Sequence, residues 1–266
     1  MLTVISGDHI RHYYFIKKLS EIVKIDNLII EKRENQLTNS NRNLKNLSKL
    51  EKKHFKKRIE AEEKFFGKKK NINFKVDNIF KISKDNLIDG TLLKIIKKQK
   101  SENLITYGCH KIDKKILKVI KGNKWNVHAG LSPWYRGSMT HFWPSYLLEP
   151  EFTGMTLHKL TDNIDGGDII HQSVVNLNPK DGIHENACRC LGDFLIELKA
   201  YFPKNYFRKT FKGINQVSSG RLWTSKMWHP NLLKIVYEKF DDKINKFCIE
   251  NKKINKPKIN SILKEI

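Results

Sequence analysis

The chain has 266 residues, 51 Lys+Arg against 28 Asp+Glu for a formal charge of +23, and a hydrophobic fraction of 39%. That length supports one large or two small domains with an adequate core, and no run approaches the roughly 18 apolar residues of a membrane span. The first residues lack the basic segment and small-residue cleavage site of a secretory signal, so a cytoplasmic protein is expected.

Leu2-Thr3-Val4-Ile5 is a short β-branched run closed by Ser6-Gly7-Asp8, the pattern of a buried strand ending in a turn. Apolar residues then recur at helical spacing from Ile10 to Ile22, and Ile25 to Ile30 reads as a second strand. This β-α-β opening is how open parallel sheets begin. Residues 31–73 turn very polar, and we read them as a charged, largely helical insertion on the sheet flank. Its helix runs from Leu47 to Phe66 with a thin apolar stripe of Leu50, Phe55, Ile59 and Phe65. Core patterning resumes with helices at Leu87–Ile96 and Ile112–Ile120 and strands at Asn103–Tyr107 and Trp125–His128. Two more strands, Gly154–Leu160 and Ile169–Val175, precede a helix at Glu185–Tyr201 and a last helix near Leu232–Phe247. The alternation predicts an α/β, Rossmann-like, doubly wound and mostly parallel sheet, with ligands beyond the carboxyl ends of its strands. We place the catalytic domain at 1–201 and a short, mostly helical extension at 202–266.

Many chemistries are unsupported. Cys109, Cys188, Cys190 and Cys248 form no CxxC pair, which argues against a disulfide framework or a cysteine-built zinc site. The turn after the first strand is not GxGxxG. There is no GxxxxGK[ST], HExxH or GxSxG, and Asp162–Asp168 lacks the distal glutamate of a calcium loop, so no metal is expected. The lysine excess attracts any polyanion, but it comes with abundant Asn and Ile and reads first as a solvated surface; nucleic acid is possible but not favoured as a partner.

What remains is Asn126-Val127-His128 at a strand end and, further on, the turn Ile164-Asp165-Gly166-Gly167-Asp168. A period of two places Asn126 and His128 on one side of the strand, an amide donor beside an imidazole. A carboxylate approaching that imidazole raises its pKa and fixes its tautomer, and the amide can hold an oxyanion, a set suited to acyl transfer. Taken singly, each residue is more readily structural than catalytic: a turn amide, a core histidine or a cap.

The segments Asn126–Gly137, Gly154–His158 and Asp162–Ile170, in this order and spacing, resemble the formyltransferases that use 10-formyltetrahydrofolate, among them the glycinamide ribonucleotide, methionyl-tRNA and amino-sugar enzymes. The likeness covers roughly residues 103–198. It implies that Asn126, His128 and Asp165 are catalytic: Asn126 and protonated His128 would stabilise the oxyanion while Asp165 holds His128 and assists proton removal. It also implies a formyl-donor pocket between Gly108, His110, Lys111 and Ile112 on one side and Thr161, Asp162 and Ile164 on the other. The sequence departs from the family pattern at Ala129, Gly130 and Ser132, near the reacting groups.

A methionyl-tRNA enzyme is expected to carry a C-terminal β-barrel, which residues 202–266 do not suggest, and the first turn is not the glycine-rich loop of the glycinamide ribonucleotide enzymes. The acceptor favoured is a small, anionic amine, a nucleotide-linked amino sugar, with Arg11, Trp134, Tyr135 and Arg136 as candidate contacts. The alternative is a methionyl-tRNA or glycinamide ribonucleotide formyltransferase, and the second alternative an inactive relative of the fold or an RNA-binding protein using residues 49–70.

Overall fold

The structure is a computed structural model that describes residues 1–33, 47–203, 206, 209–217 and 220–265. Strand β1 (Leu2–Ser6) leads into α1 (Ile10–Ser20), and β2 (Asn27–Glu31) pairs with β1 in parallel, Thr3 opposite Asn27. Helix α2 (Lys49–Phe66) then crosses to β3 (Asn78–Ile82), which pairs in parallel with β2. The charged helix is therefore the crossover of a βαβ unit, and reading it as an insertion is corrected. The cause is β3, which escaped sequence analysis because it is an edge strand with only Ile82 buried. Residues 34–46 of the expected insertion lie outside the described residues.

Next come α3 (Thr91–Lys98), β4 (Asn103–Tyr107), α4 (Lys114–Val119) and β5 (Lys124–His128). The helix read from Leu87 starts four residues later, because Gly90 takes a left-handed conformation (φ +91°) and separates α3 from a 3-10 turn at Asp85–Leu87. Helix α4 starts after Asp113, whose side chain caps the Lys115 N–H. After β6 (Arg136–Gly137) and the single turn α5 (Trp143–Tyr146), the chain returns antiparallel through β7 (Gly154–Lys159) and β8 (Ile169–Val174). The seven-stranded order is β3-β2-β1-β4-β5-β7-β8, parallel from β3 to β5. Its direction of winding reverses between β1 and β4, the place where open α/β sheets hold ligands.

Helix α6 (Ile183–Tyr201) joins α1 and α2 on one face of the sheet, over Val4, Leu28, Ile105 and Trp125. Helices α3 and α4 cover the other face over Ile5, Ile29 and Leu104. The alternation Val4/Ile5 and Leu28/Ile29 is the period-two signature of strands buried on both sides. Residues 202–266 are not mostly helical. They hold β9 (Leu222–Trp223), which pairs with β6, short 3-10 turns, a π-turn at Ile235–Lys239, and α7 (Ile244–Glu250). The helix read across Leu232–Phe247 breaks where Asp241 and Asp242 both adopt positive φ. The segment ends as a strap along β8: Asn260 N–H donates to Gln172 Oε1 (3.0 Å) and Ile262 N–H to the Ile170 carbonyl (3.0 Å), covering an edge strand.

Candidate active site

Asn126 and His128 stand two residues apart on β5 and face one cavity of about 840 Å³. Asp165 reaches them from the β7–β8 turn in a left-handed conformation (φ +47°), a strained state for a non-glycine residue. The glycines beside it serve close approach: a side chain at Gly167 would run into the Lys159 carbonyl. The strained backbone is held from outside the turn, by Gln216 Nε2 donating to the Asp165 carbonyl (2.9 Å) and to that of Gly167 (2.8 Å).

The Asp165 carboxylate sits among four nitrogens. His128 Nδ1 lies 3.3 Å from Oδ2, and the Gly137 N–H donates to the same oxygen at 2.9 Å. Asn126 Nδ2 donates to Oδ1 (3.3 Å), with His158 Nε2 3.4 Å away. Burial works against its charge, but His128, His158 and the Gly137 amide outweigh that and hold the carboxyl far below the usual range. Asn126 is fixed at its other end by Thr106, whose hydroxyl donates to Oδ1 (2.7 Å), so Nδ2 points at Asp165 and at His158 Nε2 (3.1 Å). His158 Nδ1 donates to the Lys159 carbonyl (2.8 Å), which leaves Nε2 as the acceptor for Asn126 in the neutral ring.

His128 donates from Nε2 to the Tyr135 carbonyl at 2.8 Å, so in the neutral ring Nδ1 carries the lone pair and faces Asp165. The expected rise in its pKa is corrected: burial lowers it, and Asp165 only partly opposes that. Gly130 makes this orientation possible, since a Cβ there would run into both His128 Nε2 and the Tyr135 carbonyl. Gly130→Ala is therefore expected to lower turnover by about tenfold to a hundredfold through misplacement of the imidazole, with the far-UV spectrum unchanged. Wild-type kcat in Gly130→Ala would refute the role of that hydrogen bond.

The two loops read as a donor pocket face each other across the cavity. Gly108, His110, Lys111 and Ile112 line one side, and Thr161, Asp162 and Ile164 the other. Lys111 Nζ spans them by donating to the Asp162 carbonyl (2.9 Å), while the His110 N–H donates to the buried Glu31 carboxylate (2.8 Å). Of the four acceptor contacts expected, Arg11 lines the cavity and the other three do not. Trp134 is 39% exposed and packs edge-on against Phe152. Tyr135 is buried, stacked on Trp223, with its hydroxyl donating to Glu149 (2.7 Å). Arg136 grips the Ile164 carbonyl from Nε (3.0 Å) and Nη2 (2.6 Å), tethering the Asp165 turn. The polar tips of Tyr135 and Arg136 find partners within the protein, so amphipathic composition alone misdirected the reading.

Several cavity residues had no assigned role in the sequence. His158 is one, although its place on β7 directly opposite Asn126 follows from antiparallel pairing. The others come from helix faces: His12 on α1, His54, Arg58 and Glu62 on α2, and His184 on α6. Eight of the chain's ten histidines line this one cavity. The spacing His54, Arg58, Glu62 is the i, i+4, i+8 row that places three side chains on one helix face. The row continues to Phe66, which is buried; of the expected apolar stripe Phe55 is buried, and Leu50, Ile59 and Phe65 are half-buried. Among the described residues, no cluster of three potential metal ligands occurs, and no helix is long and apolar enough to cross a membrane.

A mostly parallel α/β sheet thus brings an amide and an imidazole at the end of β5 beside a carboxylate from the β7–β8 turn. The family model described as formyl transferase matches residues 31–191, and the chain belongs to that family. It is 32% identical over 95 residues to a methionyl-tRNA formyltransferase of Prochlorococcus marinus (strain MIT 9515), a match spanning 36% of this chain and 28% of that protein's length. Among solved structures, a sugar N-formyltransferase from Shewanella sp FDAARGOS_354 superposes with a TM-score of 0.56 at 16% identity, covering 85% of this chain and 78% of the other. An N-formyltransferase from Helicobacter canadensis, solved with folinic acid and dTDP-3-aminofucose, gives a TM-score of 0.53 at 17% identity, covering 86% and 73%. These likenesses establish the fold.

Proposed function

We propose that the protein transfers a formyl group from 10-formyltetrahydrofolate to the primary amine of a small acceptor, with a nucleotide-linked amino sugar as the favoured class. The observation that carries this reading is the meeting of Asn126, His128 and Asp165 at the floor of one cavity, from two separate segments of the chain. The formyl donor fits the cleft between the 108–112 and 161–164 loops, where buried Ile112 and half-exposed Ile164 offer apolar surface beside open backbone. When bound, the donor supplies an activated acyl carbon, and the rest of the chemistry falls to the chain.

A carboxylate 3.3 Å from an imidazole lone pair repels it unless a proton lies between them. The His128–Asp165 pair is thereby poised to take up one proton, the one an attacking amine releases. Once charged, His128 has both N–H groups satisfied, by Asp165 and by the Tyr135 carbonyl, and its positive charge stands beside the developing negative oxygen. Asn126 turns one Nδ2 hydrogen from His158 or Asp165 to that oxygen. No covalent bond to the enzyme is required. The named ligands of the Helicobacter canadensis enzyme motivate the amino-sugar class, and Arg11 at the cavity wall supports an anionic acceptor.

The test is incubation with 10-formyltetrahydrofolate and separate acceptors: nucleotide-linked amino sugars, glycinamide ribonucleotide and methionyl-tRNA. Release of tetrahydrofolate with an amino sugar is expected. Release only with one of the other two would replace the acceptor, and none with any would overturn the reading.

A further inference from the structure

We propose that Gln216 is a positioning residue for formyl transfer: it sets the Asp165 turn so that the carboxylate meets His128. This rests on the formyl-transfer reading above and brings the chain beyond α6 into the reacting site. One amide nitrogen donates to two carbonyls, Asp165 at 2.9 Å and Gly167 at 2.8 Å, and so brackets the turn in which Asp165 stands at φ +47°. A non-glycine residue keeps such a conformation only where its surroundings over-determine it. Ser132 Oγ adds a longer contact to the Asp165 carbonyl (3.4 Å), and Arg136 secures the Ile164 carbonyl just before it. Small displacements count here, because His128 Nδ1 and Asp165 Oδ2 are already 3.3 Å apart, at the long end of hydrogen bonding.

The clamp is itself anchored. Ile214 and Ile169 exchange two backbone hydrogen bonds, at 2.7 and 2.8 Å, which fixes the chain two residues before Gln216 against the start of β8. Gly213 lets the segment lie this close, since a Cβ there would run into the Asp168 side chain and the Ile169 carbonyl. Phe211 is buried and packs edge-on against Trp125 of β5, ring centroids 5.5 Å apart, on the strand that carries Asn126 and His128. One segment therefore bears on both sides of the carboxylate–imidazole pair. The orientation of the amide follows from its partners, because turned over it would set Oε1 against two carbonyl oxygens. As it stands, Oε1 is buried with no hydrogen-bond partner among the described residues, a cost borne while both Nε2 hydrogens stay on the turn.

The experiment compares the full chain with Gln216→Ala and with Gln216→Glu, which keeps the shape and loses both donors. In each, kcat is expected to fall about tenfold to a hundredfold, with KM for 10-formyltetrahydrofolate and the far-UV spectrum unchanged. Gln216→Lys, which restores a long donor, should recover part of the loss. In an Asp165→Asn background Gln216→Ala should cost about twofold or less, because no carboxylate remains to be placed. A second readout is independent of turnover: titration of the His128 ring followed by its 15N shifts. The charges facing His128 are Asp165, which raises its pKa, and His158 and Arg136, which lower it, with His141 in electrostatic reach. Gln216→Ala lets the carboxylate withdraw, so His128 should titrate about half a pH unit or more lower than in wild type, and should not move in the Asp165→Asn background. An unmoved His128 titration in Gln216→Ala, or a loss of kcat that multiplies with that of Asp165→Asn, would overturn the role. Its failure is separable from that of the transfer reading: a protein that formylates no acceptor, yet shows the His128 shift, retains the positioning and loses the reaction.

Discussion

Replacing His128 with alanine is expected to lower kcat for formyl transfer by about a hundredfold to ten-thousandfold, the range of losing a positioned proton-transfer group. The side chain is 6% exposed and is held on both sides, by Asp165 and by the Tyr135 carbonyl, so its orientation is set before substrate arrives. Asp165→Asn should cost a similar factor. An amide cannot hold a proton against the imidazole, and the same change strips the charged acceptor from Asn126, His158 and Gly137. If His128 and Asp165 take up a single proton between them, as proposed, the double variant should be little slower than either single one. Single-turnover rates with unchanged far-UV spectra decide this. Factors that multiply in the double variant would show the two residues acting separately.

Acid is expected to destabilise the protein well before its carboxylates titrate. Burial lowers His54 to about 3 and His141 to about 4, and it drives His12 and His184 well below the ordinary 6.5 and His128 below it. His141 and His184 keep part of their surface open to the cavity and are otherwise enclosed. In the unfolded chain all five titrate near 6.5, so below that pH the unfolded state binds protons the folded state refuses. Stability from these groups is complete above about pH 6.5 and declines as pH falls toward 4, by roughly 1 kcal/mol per pH unit for each fully buried ring. Asp165 adds a second loss only below about pH 4, where its unfolded form protonates. Urea unfolding at pH 7, 6 and 5 should show at least ~2 kcal/mol lost across the series. A flat series would mean that these imidazoles are charged in the folded protein.

Part of the site was legible in the chain because its chemistry is local. Asn126 and His128 share a strand end, so their common side follows from the pleat, and the Asp165 turn is recognisable by its neighbours. The sheet's inner strands were legible for a related reason: β1, β2 and β4 are buried on both faces and are written as continuous apolar runs. Strand β3 was not, because an edge strand needs no such run. Nor could composition separate side chains that line the cavity from those that hold the protein together away from it. Arg11 and Arg136 are alike in the sequence, yet one lines the cavity and the other grips the Ile164 carbonyl.

The amino-acid sequence by itself determined the α/β class, which rests on periodicity, while the amide–imidazole–carboxylate set followed from the resemblance of three short segments to the formyltransferases. Only the tertiary structure decided what the charged helix is for. Once β3 makes α2 a crossover packed against α1 and α6, the row His54, Arg58, Glu62 turns from a solvated face into a cavity wall. Helical spacing alone cannot say whether a polar face meets water or an enclosed site; that depends on which elements pack around it, a long-range property carried by the sheet order.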